Sequence, residues 1–169
     1  NCVTARLTSS MPERCSWLAA VISPTMSVTR FTLATISSIV APASLMSEAT
    51  LLATRLRTTA GIPAKIIPTG SGISLAIDSQ MEPEGYTLEI NPDGVIIHGG
   101  SNAGVFYGTQ TYLQTLPPVV LGREPTPGAD WSSPAMLVED APTTSWRGLH
   151  LDSARHFMPK DFVMKLLDL

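Results

Sequence analysis

The sequence predicts an α+β fold: a small domain in which an antiparallel sheet carries two helices on one face. Two segments, 43–60 and 102–116, have apolar residues at helical spacing, with one apolar stripe and one polar side each. Between them, apolar and polar residues alternate over 73–77 and 86–90, as they do in half-buried strands. Such helices and strands bury their apolar faces by packing as two layers around one core.

Residues 1–20 show no sustained hydrophobic period and are left unassigned. Cys2 and Cys15 could pair, because both lie in this segment, but two cysteines alone do not establish a redox compartment. The apolar run 17–22 lacks the length and the flanks of a secretory signal. These residues therefore support no functional assignment.

The first predicted elements are a strand over 35–40 and a helix after it. Pro42 breaks the strand, and Ser44 stands where an N-cap residue belongs. Gly61 is placed to end the helix. The apolar positions share one helical face: Leu45, Ala49, Leu52, Ala53 and Leu56.

A hairpin is predicted in the middle of the chain. The turn sequence Asn-Pro-Asp-Gly occupies 91–94, and the apolar run 95–98 returns as the partner of the strand over 86–90. The second helix follows directly.

The glycine-rich run 99–108 invites a nucleotide-binding interpretation, which its details exclude. The glycines do not follow the G-x-G-x-x-G order, and the Lys-Ser/Thr pair of a P-loop is missing. Instead, Ser101 or Asn102 is predicted to cap a helix whose small residues let it lie close to the sheet. Its inward stripe, ended by Pro117 and Pro118, is Val105, Thr109, Tyr112, Leu113 and Leu116.

The C-terminal part is predicted to change in character after Pro134. Residues 121–134 are rich in Gly, Pro and Asp and indicate a loop, with Trp131 packed at a domain junction. Residues 136–140 are expected to form a short connection into a buried strand over 147–152, followed by a turn and a helix that starts near Asp161.

Three polar residues cluster where that strand would leave its sheet: Asp152, Arg155 and His156. Charged side chains at the carboxyl end of a barrel strand are where active sites are built. The alternative is a salt bridge between Asp152 and Arg155 that only pins the strand end. The pattern by itself leaves both interpretations open.

Composition excludes several classes of partner. Lys and Arg number 11 against 14 Asp and Glu, and the net charge of −3 provides no electrostatic footprint for nucleic acid or an anionic membrane. No apolar run approaches the roughly 20 residues that cross a bilayer. No Cys/His spacing for zinc and no calcium loop is present, so neither a metal nor another cofactor is expected.

The run W-R-G-L-H-L-D-S-A-R-H-F-M-P, residues 146–159, closely resembles the first barrel strand of family 20 glycoside hydrolases, the exo-β-N-acetylhexosaminidases. Residues 84–114 resemble the small α/β domain that precedes the barrel in that family. The resemblance implies a leading domain over 21–134 and, over 135–169, the first strand and helix of a TIM (β/α)8 barrel. A whole barrel needs roughly 250 residues, so we expect the N-terminal part of a larger enzyme.

The family's chemistry places one substrate contact in this chain. The resemblance gives Arg155 the role of binding the C3 and C4 hydroxyls of the terminal sugar, which suits the planar fork of a guanidinium. Asp152 is then expected to orient Arg155, and His156 to pack below the pocket floor. Family 20 catalysis is substrate-assisted, and its Asp-Glu pair lies on later barrel strands. No catalytic residue is therefore expected within the 169 residues.

The function expected from the resemblance is that of part of an exo-β-N-acetylhexosaminidase, acting on oligosaccharides or glycoconjugates with a terminal N-acetylhexosamine. A secreted, periplasmic or lysosomal location is implied in the same way. The alternative is a non-catalytic carbohydrate-recognition or interaction module derived from such an enzyme. An Asp-Glu pair on a later strand would favour the enzyme.

Overall fold

The computed structural model describes residues 4–6, 29–33 and 38–167. The possible pairing of Cys2 with Cys15, the run 17–22 and the start of the first predicted strand at 35–37 lie outside these residues.

Nine strands form two sheets in the described part of the chain. They are β1 (Thr4–Arg6), β2 (Arg30–Thr32), β3 (Ser38–Val40), β4 (Lys65–Ile67), β5 (Ile73–Ile77), β6 (Tyr86–Asn91), β7 (Gly94–Gly99), β8 (Ser132–Pro134) and β9 (Met136–Asp140). The larger sheet has seven strands in the order β1-β9-β6-β7-β5-β3-β4. The smaller one pairs β2 with β8, antiparallel.

The large sheet is mixed, so the predicted antiparallel sheet is only half right. The pairs along β1-β9-β6-β7 are antiparallel, and they include the predicted hairpin, in which Asn91 pairs with Gly94. The pairs along β7-β5-β3-β4 are parallel. A helix between β3 and β4 brings the chain back to the end of the sheet where it started, which makes the two strands parallel.

The first helix, α1, spans Met46–Ala60 and ends as predicted at Gly61, whose φ of 67° is left-handed. The predicted N-cap at Ser44 is wrong. A short 3-10 turn over Ala43–Leu45 precedes the helix, and no side chain caps its first turn. The Ser44 carbonyl oxygen instead accepts a hydrogen bond from Asn102 Nδ2 at 2.8 Å.

The second helix, α2, spans Asn102–Thr115, and Ser101 caps it by accepting a bond from the Ala103 amide at 3.2 Å. Helices α1 and α2 contact each other on one face of the large sheet, as predicted. The whole predicted stripe is buried: Val105, Thr109, Tyr112, Leu113 and Leu116.

Small residues place α2 directly on the sheet. A Cβ atom at Gly104 would overlap the Gly85 carbonyl oxygen and lie 3.1 Å from Gly99 Cα. A Cβ at Gly108 would lie 2.5 Å from Ile97 Cγ2. The predicted close approach of this helix to the sheet is confirmed. At Gly104, α2 lies directly against the loop that leads into β6.

The C-terminal part differs from the prediction. Residues 136–140 form strand β9, paired with β6, so the sheet continues past Pro134. The predicted strand over 147–152 is not a strand, and Trp146 is 88% exposed and Leu149 75%. An apolar strand needs paired neighbours and covered faces, and no described residue supplies them here. A barrel start is therefore not formed, although helix α3 (Lys160–Leu167) begins where expected.

Candidate functional site

Arg155 lies in an exposed turn after Asp152. Asp152 Oδ1 accepts hydrogen bonds from the amides of Ala154 and Arg155, both at 3.1 Å, which is the local turn that an aspartate side chain favours. Asp152 Oδ2 lies 3.1 Å from Arg155 Nε. Asp152 thus contacts both the backbone and the side chain of Arg155. His156 is exposed in the described structure, and its place below a pocket floor stays a prediction about the barrel.

The ion pair leaves the outer edge of the guanidinium facing solvent. The Arg155 side chain is 91% exposed, and no described residue bonds to its two Nη groups. A guanidinium held at Nε can still donate from both Nη groups to two neighbouring oxygens. The turn is therefore compatible with both sequence interpretations, because the same aspartate can pin the turn and orient the arginine.

A second polar cluster, which no sequence motif marks, joins Arg147 to the α+β domain. Arg147 Nη2 lies 2.7 Å from Glu84 Oε1 and donates to the Tyr107 hydroxyl at 3.1 Å. Arg147 Nη1 donates to the Thr144 carbonyl oxygen at 2.6 Å, and its guanidinium carbon lies 5.8 Å from the Tyr107 ring centroid. Glu84 is therefore the ion-pair partner of Arg147.

Electrostatics in this cluster follow from the short bond between the two charges. The hydrogen bond from Arg147 holds the pKa of Glu84 below its ordinary value of 4.5. The same bond raises the pKa of Arg147, which stays charged. No pattern in the sequence could have indicated this pair, because Glu84 and Arg147 are 63 positions apart.

A cleft of about 210 Å³ lies between α2 and residues 141–147, which we call the connecting segment. The Tyr86 hydroxyl bonds to Thr111 Oγ1 at 2.6 Å and donates at 3.4 Å to Oδ2 of Asp140, the residue before this segment. Burial raises the pKa of Tyr86, so this phenol is neutral at pH 7. The remaining lining is Glu84, Tyr107, Gln110, Gln114, Ala141, Pro142, Thr143, Thr144 and Arg147.

Neither a metal centre nor a membrane span is found in the ranges 4–6, 29–33 and 38–167. No three His, Cys, Asp or Glu side chains there are grouped so that they could hold a metal ion. No helix in the same ranges is long and apolar enough to cross a bilayer.

Comparison with known proteins places the fold in one family. The model of glycosyl hydrolase family 20, domain 2, matches residues 21–141. The chain is 35% identical over 127 residues to a beta-hexosaminidase of Porphyromonas gingivalis, covering 72% of this chain and 16% of that protein. It is 30% identical over 144 residues to a beta-N-acetylhexosaminidase of Cellulomonas fimi, covering 82% of this chain and 28% of that protein.

Solved structures agree with this assignment. The chain superposes on a mutant beta-hexosaminidase of Streptomyces plicatus in complex with its product GlcNAc, with a TM-score of 0.72 and 32% identity, over 83% of this chain and 29% of that one. The chain thus spans less than a third of the relatives that it matches. Because the family model covers most of the described residues, the chain belongs to glycosyl hydrolase family 20.

Proposed function

We propose that this chain is the N-terminal part of an exo-β-N-acetylhexosaminidase that releases terminal N-acetylglucosamine or N-acetylgalactosamine. The observation that carries the proposal is the order of two features along the chain. A family 20 domain over 21–141 is followed by the D-S-A-R-H-F motif at 152–157. The names of the relatives, beta-hexosaminidase and beta-N-acetylhexosaminidase, support it.

In this proposal the α+β domain supports the barrel, and residues 147–167 provide the barrel's first strand and helix. The exposure of Trp146, Leu149 and Phe157, at 88, 75 and 81%, supports the assignment, because such side chains need a covering layer. Residues 147–152 would become a strand once neighbouring barrel strands pair with them.

The reaction that we propose is retaining hydrolysis assisted by the substrate. The acetamido oxygen on C2 of the sugar attacks the anomeric carbon, and the bond to the leaving oxygen breaks. A glutamic acid protonates that oxygen and then activates water, while a neighbouring aspartate orients the acetamido group. Both carboxylates belong to later barrel strands, so this chain contributes no catalytic residue.

Arg155 is the substrate contact that we assign to this chain. Its Nη groups would donate to the hydroxyls on C3 and C4 of the terminal sugar, while Asp152 holds Nε. A fork of donors held at one edge loses less conformational freedom on binding the sugar than a freely rotating side chain. The sugar would take the place of solvent on the exposed edge of the guanidinium.

The test compares the 169-residue chain with the full-length protein of the same gene. With an aryl N-acetyl-β-glucosaminide, we expect turnover by the full-length protein and none by the chain alone. An aryl β-glucoside, which lacks the acetamido group, serves as the control substrate and should not be cleaved by either. Turnover by the chain alone, lost on mutation of one of its own residues, would overturn the assignment of the carboxylates to later strands. An inactive full-length protein that still binds N-acetylglucosamine would favour the non-catalytic module.

A further inference from the structure

We propose that Arg147 is a positioning residue for Arg155, an inference that rests on the proposed function. Arg147 fastens the end of the connecting segment to the α+β domain. The chain then has only eight residues in which to reach Arg155, so the fastening limits where the Asp152–Arg155 turn can lie. In the enzyme, Arg147 would hold Arg155 at the sugar without touching the substrate.

The contacts of Arg147 come from three separate parts of the fold. Glu84 belongs to the loop before β6, Tyr107 to α2, and Thr144 to the connecting segment itself. The Tyr107 hydroxyl also donates to Glu84 Oε1 at 3.3 Å, so Arg147 Nη2, this hydroxyl and the carboxylate oxygen are all bonded to one another. A charge held by several partners at once fixes its segment better than an isolated surface pair does.

The connecting segment is also fixed at its other end. Asp140 ends β9, which is paired with β6, and its carboxylate accepts the bond from the Tyr86 hydroxyl. The connecting segment is thus tied to the domain at both of its ends. Beyond Arg147, residues 148–150 are exposed, and a Cβ at Gly148 would meet nothing within 4 Å. Arg147 is therefore the last described tie before the Asp152–Arg155 turn.

The chemistry of this tie requires arginine. Arg147 uses Nη1 for Thr144 and Nη2 for Glu84 and Tyr107, so its two nitrogens point at different partners. A lysine keeps the charge and can reach Glu84, but one ammonium cannot reproduce both directions of the planar fork. Lysine should thus restore part of the positioning and glutamine none of it.

The experiment uses the full-length enzyme and steady-state kinetics with an aryl N-acetyl-β-glucosaminide. We expect Arg147→Gln to lower kcat/KM roughly ten- to hundredfold, because small displacements of a contact group have effects of this size. Arg147→Lys should recover part of this loss in kcat/KM. Glu84→Gln should cause a loss similar to that of Arg147→Gln, although the arginine is still in place. Arg30→Gln is the matched control, since it removes an exposed arginine that lies 3.7 Å from Asp130, and it should leave kcat/KM unchanged.

A double-mutant cycle with Arg155 separates positioning from a merely structural role. If Arg147 acts through Arg155, Arg147→Gln should divide its effect between kcat and KM as Arg155→Lys does. The double variant should then lose little more than the worse single variant. The inference is overturned if the double variant loses the full product of the two single losses in kcat/KM and if KM is unchanged in Arg147→Gln. That result would show only a loss of folded enzyme.

Two further outcomes are decisive. Full activity of Arg147→Gln in an active enzyme would overturn the positioning role and leave the proposed function standing. An inactive wild-type enzyme would overturn the proposed function, and this inference with it. Hydrogen exchange gives a readout besides activity: amides of the connecting segment should exchange faster in Arg147→Gln than in Arg30→Gln, while those of α2 stay unchanged.

Discussion

Gly104→Ala tests how closely α2 lies on the sheet. In an exposed helix this substitution stabilises by about 1 kcal/mol, because alanine has the higher helix propensity. Here the new Cβ atom would overlap the Gly85 carbonyl oxygen, so α2 or the loop before β6 must move by roughly 1 Å to restore van der Waals contact. The oxygen also accepts the Gly100 amide at 3.0 Å, a bond that this movement would weaken.

The expected magnitude follows from these opposing effects. Overpacking a buried site costs about 1–3 kcal/mol, and a weakened hydrogen bond about 1 kcal/mol more. After the gain in propensity, Gly104→Ala should lower the free energy of unfolding by about 2 kcal/mol. Gly108→Ala should cost less, since its new Cβ meets the Ile97 side chain and not a backbone atom.

Urea unfolding of the 169-residue chain, followed by circular dichroism, measures this difference. With a slope of about 2 kcal/mol/M, the midpoint should fall by roughly 1 M while the slope stays unchanged. Gly148→Ala is the control, because nothing lies near its Cβ, and it should change stability by less than about 0.5 kcal/mol. A Gly104→Ala chain as stable as the unaltered one would refute the close packing.

Three further predictions concern single side chains. Tyr112→Phe should leave the free energy of unfolding unchanged or raise it by up to about 1 kcal/mol, because the buried Tyr112 hydroxyl has no partner among the described residues. A clear loss of stability in urea unfolding would show that the hydroxyl is bonded. Gly61→Ala should destabilise by about 1 kcal/mol, since alanine adopts a φ of 67° at a cost, and an unchanged midpoint would contradict that cap. Because the folded-state pKa of Glu84 is lowered, the stability that Glu84 contributes is present above pH 4.5 and is lost as the pH falls through the lowered pKa. Glu84→Gln should therefore reduce the fall in unfolding free energy that is measured below pH 4.5. Parallel pH profiles for the variant and the unaltered chain would exclude the ion pair in solution.

The elements that the sequence predicted correctly depend on neighbours in the chain. The stripe of α2, its cap at Ser101 and the turn at 91–94 are all specified within a few residues. The Ser44 cap failed although it too is local, because the 3-10 turn before α1 leaves that serine outside the capping position. Periodicity identifies an element more securely than it locates the element's first residue.

The features that the sequence did not predict depend on partners far along the chain. Strand direction in the β7-β5-β3-β4 half of the sheet is decided by crossovers, which alternation within one strand does not record. Strand β9 is short, and its pairing with β1 and β6 distinguishes it from a connection. The Glu84–Arg147 pair joins residues that no local motif links.

The site was predictable only where a motif marks it. The motif D-x-x-R-H-F carries a family pattern that marks Arg155, and its pairing with Asp152 follows from the spacing of three residues. Residues 147–152 have the composition of a covered strand, but the strand requires neighbours that no described residue supplies. Sugar contact by Arg155 remains a prediction.

The central claim is that Arg155 binds the C3 and C4 hydroxyls of a terminal N-acetylhexosamine. The most direct measurement is kcat/KM of the full-length enzyme and its Arg155→Lys variant, with the parent substrate and with analogues deoxygenated at C3 or C4. We predict a loss of about 1–3 kcal/mol for the parent substrate and a smaller loss for each analogue, which lacks one of the hydroxyls. Equal losses for all three substrates, with stability unchanged, would contradict the claim and leave the Asp152–Arg155 pair as a structural salt bridge.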